Sequence, residues 1–223
     1  MSQTILFIDL DGTIMVNPFL SAVFPYLEER LAPDLTREFL AEQQIRLKQP
    51  NADPVWIMDW DNICETVVRR HGWELPARVC DLVVEYSRPP YISLIDNADH
   101  ILRQIVSEKR TLIVASMGLS RYQMPVLKAL GLADLFDDFL MPDLTGVLKT
   151  DARFYARYAG SDALKISVGD HVTDDVLRPQ AFGFRTIFKS PHPPVDVQAD
   201  IVISDLSELP KAIETLEARN LSS

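Results

Sequence analysis

Five aspartates in two short segments have the side chains best suited to chemistry. Asp9 and Asp11 lie in DLDGT, directly after the apolar run TILFI. Asp170, Asp174 and Asp175 lie in GDHVTDD, directly after KISV. Ionised carboxylates that share a small crevice need a cation to offset their charge. Mg²⁺ prefers oxygen ligands and commonly binds one or two carboxylates together with water and phosphate. The two segments therefore predict a Mg²⁺-dependent site for a phosphate group.

The predicted strands decide whether these residues meet. Short apolar runs indicate buried strands over Thr4–Ile8, Thr111–Ala115 and Lys165–Val168. Asp9, Ser116 and the pair Gly169-Asp170 come just after these three strands. In an open parallel sheet the carboxyl ends of the strands form the ligand crevice, so we expect these residues to converge there. Lys149 could add positive charge to the same crevice.

Helical and strand patterns alternate over the second half of the chain. Further strands are predicted over Phe139–Met141, Arg185–Phe188 and Asp200–Ile203. Helices are predicted over Asp96–Ser107, Arg121–Leu130, Asp151–Tyr158, Thr173–Ala181 and Ser207–Arg219. Such alternation indicates a parallel sheet covered by helices on both faces.

A block of helical patterns separates the first strand from this alternating region. Its four segments begin with proline or an acidic residue, as helix N-termini prefer. The segments are Pro18–Leu31, Asp34–Lys48, Pro54–His71 and Pro76–Tyr86. The sequence thus predicts an α/β fold, with a parallel-sheet core over residues 1–14 and 93–223 and an all-helical cap subdomain inserted over residues 15–92.

The composition is that of an acidic globular protein. Of the 223 residues, 47% are apolar, and 22 basic against 32 acidic residues give a net charge of −10. We therefore expect neither nucleic acid nor an anionic membrane as a partner. The longest uncharged run, Gly12–Leu27, has 16 residues and is too short to span a bilayer. Because no secretory signal pattern opens the sequence, we expect a cytoplasmic protein, monomeric or homodimeric, with Cys64 and Cys80 reduced and buried.

Taken together, the motifs resemble those of the haloacid dehalogenase-like hydrolase superfamily. They are DLDGT at Asp9–Thr13, a hydroxyl residue after a strand at Ser116, Lys149 before a helix, and GDHVTDD at Gly169–Asp175. The helical insert is similar to the cap of the phosphoglycolate phosphatase-like and dehalogenase-like branch. The resemblance covers essentially the whole chain. It implies a Rossmann-like core, Mg²⁺ as cofactor and a small-molecule phosphorylated substrate.

The resemblance also implies a phosphatase that hydrolyses a phosphomonoester through an aspartyl-phosphate intermediate. Asp9 would be the nucleophile that attacks phosphorus. Asp11 would be the general acid that protonates the leaving oxygen, and then the base that activates water. Asp9, the backbone carbonyl of Asp11, and Asp170 would hold Mg²⁺.

Five further residues have roles that the resemblance implies. Ser116, Met117 and Lys149 would bind the substrate phosphate, with Ser116 donating a hydrogen bond and Lys149 offsetting charge. Asp174 and Asp175 would lie behind the metal ligands, where Asp175 would orient metal-bound water or Lys149.

Three alternatives use the same scaffold: a phosphomutase, a 2-haloacid dehalogenase, and a catalytically weak phospho-ligand binding protein. Members of the family that cleave carbon–halogen bonds lack the second aspartate, because a leaving halide needs no proton. Asp11 therefore favours phosphoester chemistry. Two departures from the family pattern blur the subfamily: Met117 replaces a common asparagine, and Thr150 replaces a common proline.

Other residues have simpler interpretations. Arg70-His71-Gly72 matches the short RHG signature of histidine phosphatases, but it closes a helical pattern, so we interpret it as a helix end. We interpret one apolar helical face as cap core rather than an aromatic substrate box. The residues of that face are Trp56, Trp60, Ile63, Cys64 and Val67. The basic cap residues that could contact a substrate are Arg46, Lys48, Arg69 and Arg70.

Overall fold

A computed structural model describes residues 3–221, so the predictions for residues 1, 2, 222 and 223 lie outside the described residues. The strands are β1 (Thr4–Ile8), β2 (Met15–Val16), β3 (Ser93–Leu94), β4 (Arg110–Ala115), β5 (Asp138–Leu140), β6 (Leu164–Gly169), β7 (Arg185–Lys189) and β8 (Ile201–Ile203). Over the described range, the main sheet has six parallel strands in the order β5-β4-β1-β6-β7-β8. The predicted Rossmann-like parallel sheet is confirmed.

β1 lies in the middle of the sheet because its apolar side chains can be buried on both faces. Leu6 and Ile8 pack into one hydrophobic cluster, and Ile5 and Phe7 pack into the cluster on the other face. β1 pairs with β4 on one side and with β6 on the other. The strand order therefore reverses at β1. The carboxyl ends of β1, β4 and β6 meet at this switch point, where open α/β sheets bind ligands.

The helices pack around this sheet. They are α1 (Phe24–Arg30), α2 (Leu35–Leu47), α3 (Pro54–Met58), α4 (Trp60–Arg70), α5 (Val79–Tyr86), α6 (Ala98–Ile105), α7 (Ser120–Ala129), α8 (Pro142–Thr145), α9 (Arg178–Ala181) and α10 (Leu209–Leu221). Short π- or 3₁₀-helical segments cover Phe19–Val23, Ala133–Leu135, Ala152–Tyr158, Val172–Leu177 and Leu206–Glu208. Helices α1–α5 all lie between β2 and β3, and we refer to residues 17–92 as the helical insert. Within residues 3–221, we find no helix with the length and apolar content needed to cross a membrane.

The predicted helix over Pro54–His71 is interrupted at Asp59, so that prediction is wrong at this residue. Asp59 has a ψ of 96°, outside the helical range, and its carboxylate accepts a hydrogen bond from Asn62 N at 3.1 Å. The side chain therefore caps α4 and ends α3. Trp56 and Trp60, predicted to share one helical face, belong to two different helices.

β2 and β3 form a two-stranded antiparallel ribbon that the sequence did not predict, because two residues have no readable period. Met15 lies opposite Leu94, and Val16 lies opposite Ser93. The ribbon holds the chain entering the helical insert against the chain leaving it. The predicted cap range begins in one strand of the ribbon and ends beside the other.

Arg46 is buried inside the helical insert, so the prediction that it could contact a substrate is wrong. Its guanidinium donates to the Glu42 carboxylate at 3.0 Å, to the Trp56 carbonyl at 2.9 Å and to the Thr66 hydroxyl at 2.9 Å. A buried charge requires such partners. Arg70 pairs with the same glutamate. Arg46 thus joins α2 to α3 and α4.

Both cysteines are free thiols. Cys64 is buried, as predicted, but Cys80 is half-buried, so the prediction that it is buried is wrong. The buried stripe of α5 consists of Val79, Leu82 and Val83. Cys80 lies off that stripe and therefore faces partly toward solvent.

A seam between α4 and α7 joins the helical insert to the sheet core. The Trp60 ring stacks on the Tyr122 ring, with centroids 4.6 Å apart. The Tyr122 hydroxyl accepts a hydrogen bond from Asp61 N at 2.8 Å and lies 3.0 Å from Asp59 Oδ1. Arg121 also pairs with Asp59. Burial would raise the pKa of the Asp59 carboxyl, but the hydrogen bond from Arg121 lowers it. Stacking, hydrogen bonds and an ion pair together fix α4 to α7.

Tyr122→Phe is expected to lower the free energy of unfolding by about 1–3 kcal/mol, because it leaves the buried Asp61 N–H without its acceptor. The stack on Trp60 remains, so the change reports on the hydrogen bonds. Urea denaturation of the two proteins gives the difference. Tyr26→Phe is the matched control. Tyr26 is half-buried, and its ring lies 3.8 Å from the Arg30 guanidinium carbon, a contact that phenylalanine keeps. Equal losses in both variants would contradict this role for the Tyr122 hydroxyl.

Candidate active site

The carboxylates of Asp9, Asp170 and Asp175 lie together at the carboxyl ends of β1 and β6. One oxygen of each lies within 4.8 Å of the others, and we call these three groups the carboxylate cluster. Asp9 directly follows β1, and its N–H donates to the Val168 carbonyl of β6 at 2.9 Å. The sheet therefore positions the cluster through its backbone.

Lys149 is the buried cation of the site. Its Nζ lies 2.9 Å from Asp9 Oδ1 and 2.5 Å from Asp175 Oδ1. Burial on its own would lower the pKa of the ammonium group, but the charges of Asp175 and Asp9 outweigh burial and raise the pKa. Lys149 is therefore charged at neutral pH.

The negative charge of the carboxylate cluster exceeds the positive charge of Lys149. Burial raises the pKa of Asp9 to about 6, although Lys149 opposes the increase. Burial also raises the pKa values of Asp170 and Asp175. Asp175 is buried, Asp9 is half-buried and Asp170 is exposed, and the raised pKa values indicate that the three carboxylates have too little positive charge around them. A hard divalent cation would offset that charge, so the donor set fits Mg²⁺.

Two glycines allow the carboxylates to approach the backbone closely. Gly12 has a φ of +81°, and a Cβ built on it would lie 2.2 Å from Asp170 Oδ2. A Cβ on Gly169 would lie 2.1 Å from Asp175 Cγ. Any side chain at either position would displace a carboxylate of the cluster. Packing therefore favours glycine at both positions, and the positive φ is a second reason at Gly12.

Asp11 lies outside the carboxylate cluster and has its own hydrogen-bond partners. Asn17 Nδ2 donates to Oδ1 and Gln123 Nε2 donates to Oδ2, each at 2.7 Å. Burial raises the pKa of Asp11 to about 6, although the hydrogen bond from Gln123 opposes the increase. A carboxyl group with a pKa close to neutrality can act as a general acid or a general base.

Ser116 and Met117 follow β4, on the opposite side of β1 from β6. Ser116 is buried, and its Oγ accepts a hydrogen bond from Gly118 N at 3.1 Å. The Met117 side chain packs against the main hydrophobic cluster. The polar group that Met117 can offer to a phosphate is therefore its backbone N–H.

Asp174 and Asp175 face different groups. Asp175, which pairs with Lys149, also accepts a hydrogen bond from His171 N at 2.9 Å. Asp174 faces the exposed His171 ring instead, with Oδ2 3.2 Å from Nδ1. The structure therefore places Asp175 in the carboxylate cluster and Asp174 toward the surface.

Three residues of the site were not predicted from the sequence: Asn17, Gln123 and Tyr155. Gln123 is 112 positions away from its partner Asp11, and no local spacing marks such a contact. The Tyr155 hydroxyl is buried near Lys149 and has no hydrogen-bond partner within residues 3–221. A buried tyrosine in a helical pattern gives the same sequence signal whether or not it borders a site.

Comparisons with known proteins identify the fold. No protein-family model and no curated protein matches the sequence. A HAD phosphatase from Thermococcus onnurineus has a similar structure, with a TM-score of 0.74 and 22% identity over 96% of this chain and 98% of that chain. The putative HAD-hydrolase YfnB from Bacillus subtilis, bound to magnesium, has a TM-score of 0.73 and 19% identity. That match covers 96% of this chain and 99% of that chain. L-2-haloacid dehalogenase from Xanthobacter autotrophicus has a TM-score of 0.69 and 17% identity. That match covers 96% of this chain and 99% of that chain.

The chain therefore has the fold of the haloacid dehalogenase-like hydrolases. The resemblance stated from the motifs is confirmed for the fold over nearly the whole chain. Both a phosphatase and a dehalogenase are among the similar structures. This fold is thus shared by a phosphatase and by a dehalogenase, and the fold does not by itself assign an activity to this chain.

Proposed function

We propose that the protein is a Mg²⁺-dependent phosphatase that hydrolyses a small-molecule phosphomonoester. The observation that carries this proposal is the position of Asp11. Its carboxyl group is half-buried, lies outside the carboxylate cluster and is held on both oxygens. A leaving alkoxide needs a proton, whereas a leaving halide does not. A separately held second aspartate therefore favours phosphoester cleavage over dehalogenation.

In the first half-reaction, Asp9 attacks the phosphorus atom of the substrate. A bond forms between an Asp9 carboxylate oxygen and phosphorus, and the bond between phosphorus and the leaving oxygen breaks. Asp11, in its protonated form, transfers its proton to the leaving oxygen. The alcohol product leaves, and Asp9 carries the phosphoryl group as an aspartyl-phosphate.

In the second half-reaction, Asp11 acts as a base. Its carboxylate takes a proton from water while the water oxygen attacks phosphorus. The bond between phosphorus and Asp9 breaks, and inorganic phosphate leaves. Asp9 is again a carboxylate and Asp11 is again protonated, so the site is ready for the next substrate.

The charges of the site support phosphoryl transfer. Asp9, Asp170 and the backbone carbonyl of Asp11 would hold Mg²⁺, which supplies positive charge to offset the phosphoryl oxygens when bound. Lys149 supplies a second positive charge and is itself held by Asp175 at 2.5 Å. Ser116 and the backbone N–H of Met117 donate to the phosphoryl oxygens. The helical insert acts as a cap that excludes water during transfer.

Phosphate release from para-nitrophenyl phosphate and from a panel of phosphometabolites tests the proposal, with Mg²⁺ and with EDTA. We expect release with Mg²⁺ and none with EDTA, because chelation removes the cation that the carboxylate cluster needs. Halide release from 2-haloacids is measured in parallel and is expected to be absent. Halide release without Mg²⁺ would support a dehalogenase, isomerised ester without free phosphate would support a phosphomutase, and binding without turnover would support a phospho-ligand binding protein.

A further inference from the structure

The Asp11 carboxylate is close enough to the proposed cation site to become a ligand there. It lies two residues after Asp9, and a hard cation attracts any carboxylate within reach. An Asp11 side chain turned toward the carboxylate cluster would become a further ligand. Such a carboxylate could no longer carry a proton to a leaving group. The proposed function therefore requires that something hold Asp11 away from the cation.

Both oxygens of Asp11 are occupied by amide donors, one from each side of the site. Asn17 reaches Oδ1 from the segment after β2, and Gln123 reaches Oδ2 from α7. The orientation of the Asn17 amide is fixed, because its own Oδ1 accepts a hydrogen bond from Phe19 N at 2.9 Å. The Asn17 nitrogen therefore has to face Asp11.

Gln123 is placed at a cost to its own hydrogen bonding. It is 1% exposed, and its Oε1 is buried without a hydrogen-bond partner within residues 3–221. Turning the amide over would set Oε1 against the Asp11 carboxylate, oxygen against oxygen. Buried carbonyl oxygens without partners are rare, because they lose hydration and gain nothing. The hydrogen bond from Gln123 Nε2 to Asp11 is the gain that accompanies the unpaired Oε1.

The backbone makes room for the Gln123 amide. A Cβ built on Gly118 would lie 2.2 Å from Gln123 Nε2 and 2.9 Å from Gln123 Cγ. In the loop that contains Ser116 and Met117, a side chain at position 118 would therefore push the Gln123 amide out of its present position. The Gln123 side chain occupies the space that is left free by the missing Cβ of Gly118.

We propose that Gln123 and Asn17 are positioning residues that keep the Asp11 side chain out of the cation site. This inference rests on the proposed function, and it deepens that function by explaining why the Asp11 side chain serves as the acid, while only the Asp11 backbone carbonyl serves as a ligand. The amides act through Asp11 and do not contact the reacting atoms.

Mg²⁺ alone is the probe for the first test, by isothermal titration calorimetry without substrate. Gln123→Leu keeps the side-chain size and removes the donor. We expect it to bind Mg²⁺ about tenfold more tightly, at the low end of the range by which outer partners change metal affinity. The double variant Asp11→Asn/Gln123→Leu is expected to bind Mg²⁺ with the affinity of Asp11→Asn alone. Unchanged affinity in Gln123→Leu, or tightening that persists in the double variant, would overturn the inference.

Leaving groups provide the second test. An alkyl phosphate needs a proton on its leaving oxygen, whereas para-nitrophenolate leaves readily without one. In Gln123→Leu, kcat for an alkyl phosphate should fall about 10²-fold more than kcat for para-nitrophenyl phosphate, the lower range of a general-acid contribution. A merely structural defect would lower both equally. Gln180→Leu, which removes a donor to the Thr186 hydroxyl, is the matched control and should leave Mg²⁺ affinity unchanged.

The two proposals fail in different ways. A wild-type protein that releases no phosphate, together with tighter Mg²⁺ binding by Gln123→Leu, would refute the phosphatase and keep the positioning role. Phosphate release by the wild type, together with unchanged behaviour of Gln123→Leu, would do the reverse. A wild type that binds no Mg²⁺ would refute both. Thermal unfolding checks each variant, and Asn17→Leu, which removes the other donor, replaces Gln123→Leu if that protein does not fold.

Discussion

Asp9→Asn is expected to lower kcat for phosphate release by about 10⁴-fold or more, because an amide cannot replace the attacking carboxylate. The substitution keeps the size of the side chain. The backbone hydrogen bond from residue 9 to the Val168 carbonyl does not involve the side chain and remains. Steady-state assays with para-nitrophenyl phosphate at saturating Mg²⁺ measure the loss, and thermal unfolding shows whether the variant is folded.

Asp200→Asn is the matched control for this substitution. Asp200 lies near the amino ends of β7 and β8, where it accepts hydrogen bonds from Thr186 N at 2.9 Å and from the Thr186 hydroxyl at 3.1 Å. It should leave kcat unchanged. An Asp9→Asn protein that is folded and still keeps more than about a tenth of wild-type turnover would contradict a nucleophilic role for Asp9.

Lys149→Met is expected to lower the free energy of unfolding by about 3–5 kcal/mol, the usual cost of removing one partner from a buried ion pair. Methionine fills a similar volume but leaves Asp9 and Asp175 facing each other without their shared cation. Added Mg²⁺ should restore part of the loss, because it offsets the charge of the same carboxylates. Urea denaturation with and without Mg²⁺ measures both effects.

Lys211→Met controls for the loss of a lysine as such. The Lys211 side chain is 84% exposed, so its removal should change stability by less than about 0.5 kcal/mol. The double variant Lys149→Met/Asp175→Asn should recover stability relative to Lys149→Met, since one of the two unpaired charges is gone. Equal urea midpoints for Lys149→Met and wild type would show that the buried ion pairs contribute nothing to stability.

The strands were predictable because each buried parallel strand is a short apolar run bounded by polar residues. TILFI, TLIVA and KISV identified β1, β4 and β6 within one or two residues at each end. The rule that parallel strands end at one edge then predicted that Asp9, Ser116 and Asp170 converge. Lys149 was predicted from its place in the motif order, and the structure brings its ammonium group to Asp9 and Asp175.

The rest of the site depends on contacts that have no local signal. The break at Asp59 arises because a carboxylate can either remain inside a helix or cap the next one, and periodicity does not distinguish the two. From the sequence, Arg46 was a candidate for substrate contact, because a lone arginine in a helical pattern is usually exposed. In the structure it is buried, and it donates hydrogen bonds to a glutamate, a carbonyl and a hydroxyl group on three helices. Gln123 reaches Asp11 only because the sheet order places α7 beside the end of β1.

The close approach of Gly118 to Gln123 has a consequence for how this sequence can change over evolution. A methyl group at position 118 would occupy the place of the Gln123 amide, so a substitution there requires the Gln123 side chain to move or to be replaced. A homologue with a side chain at the position of Gly118 should have a short residue at the position of Gln123. The aspartate equivalent to Asp11 would then need another hydrogen-bond donor. Co-variation of this pair across an alignment would therefore separate homologues that share this arrangement from those that do not.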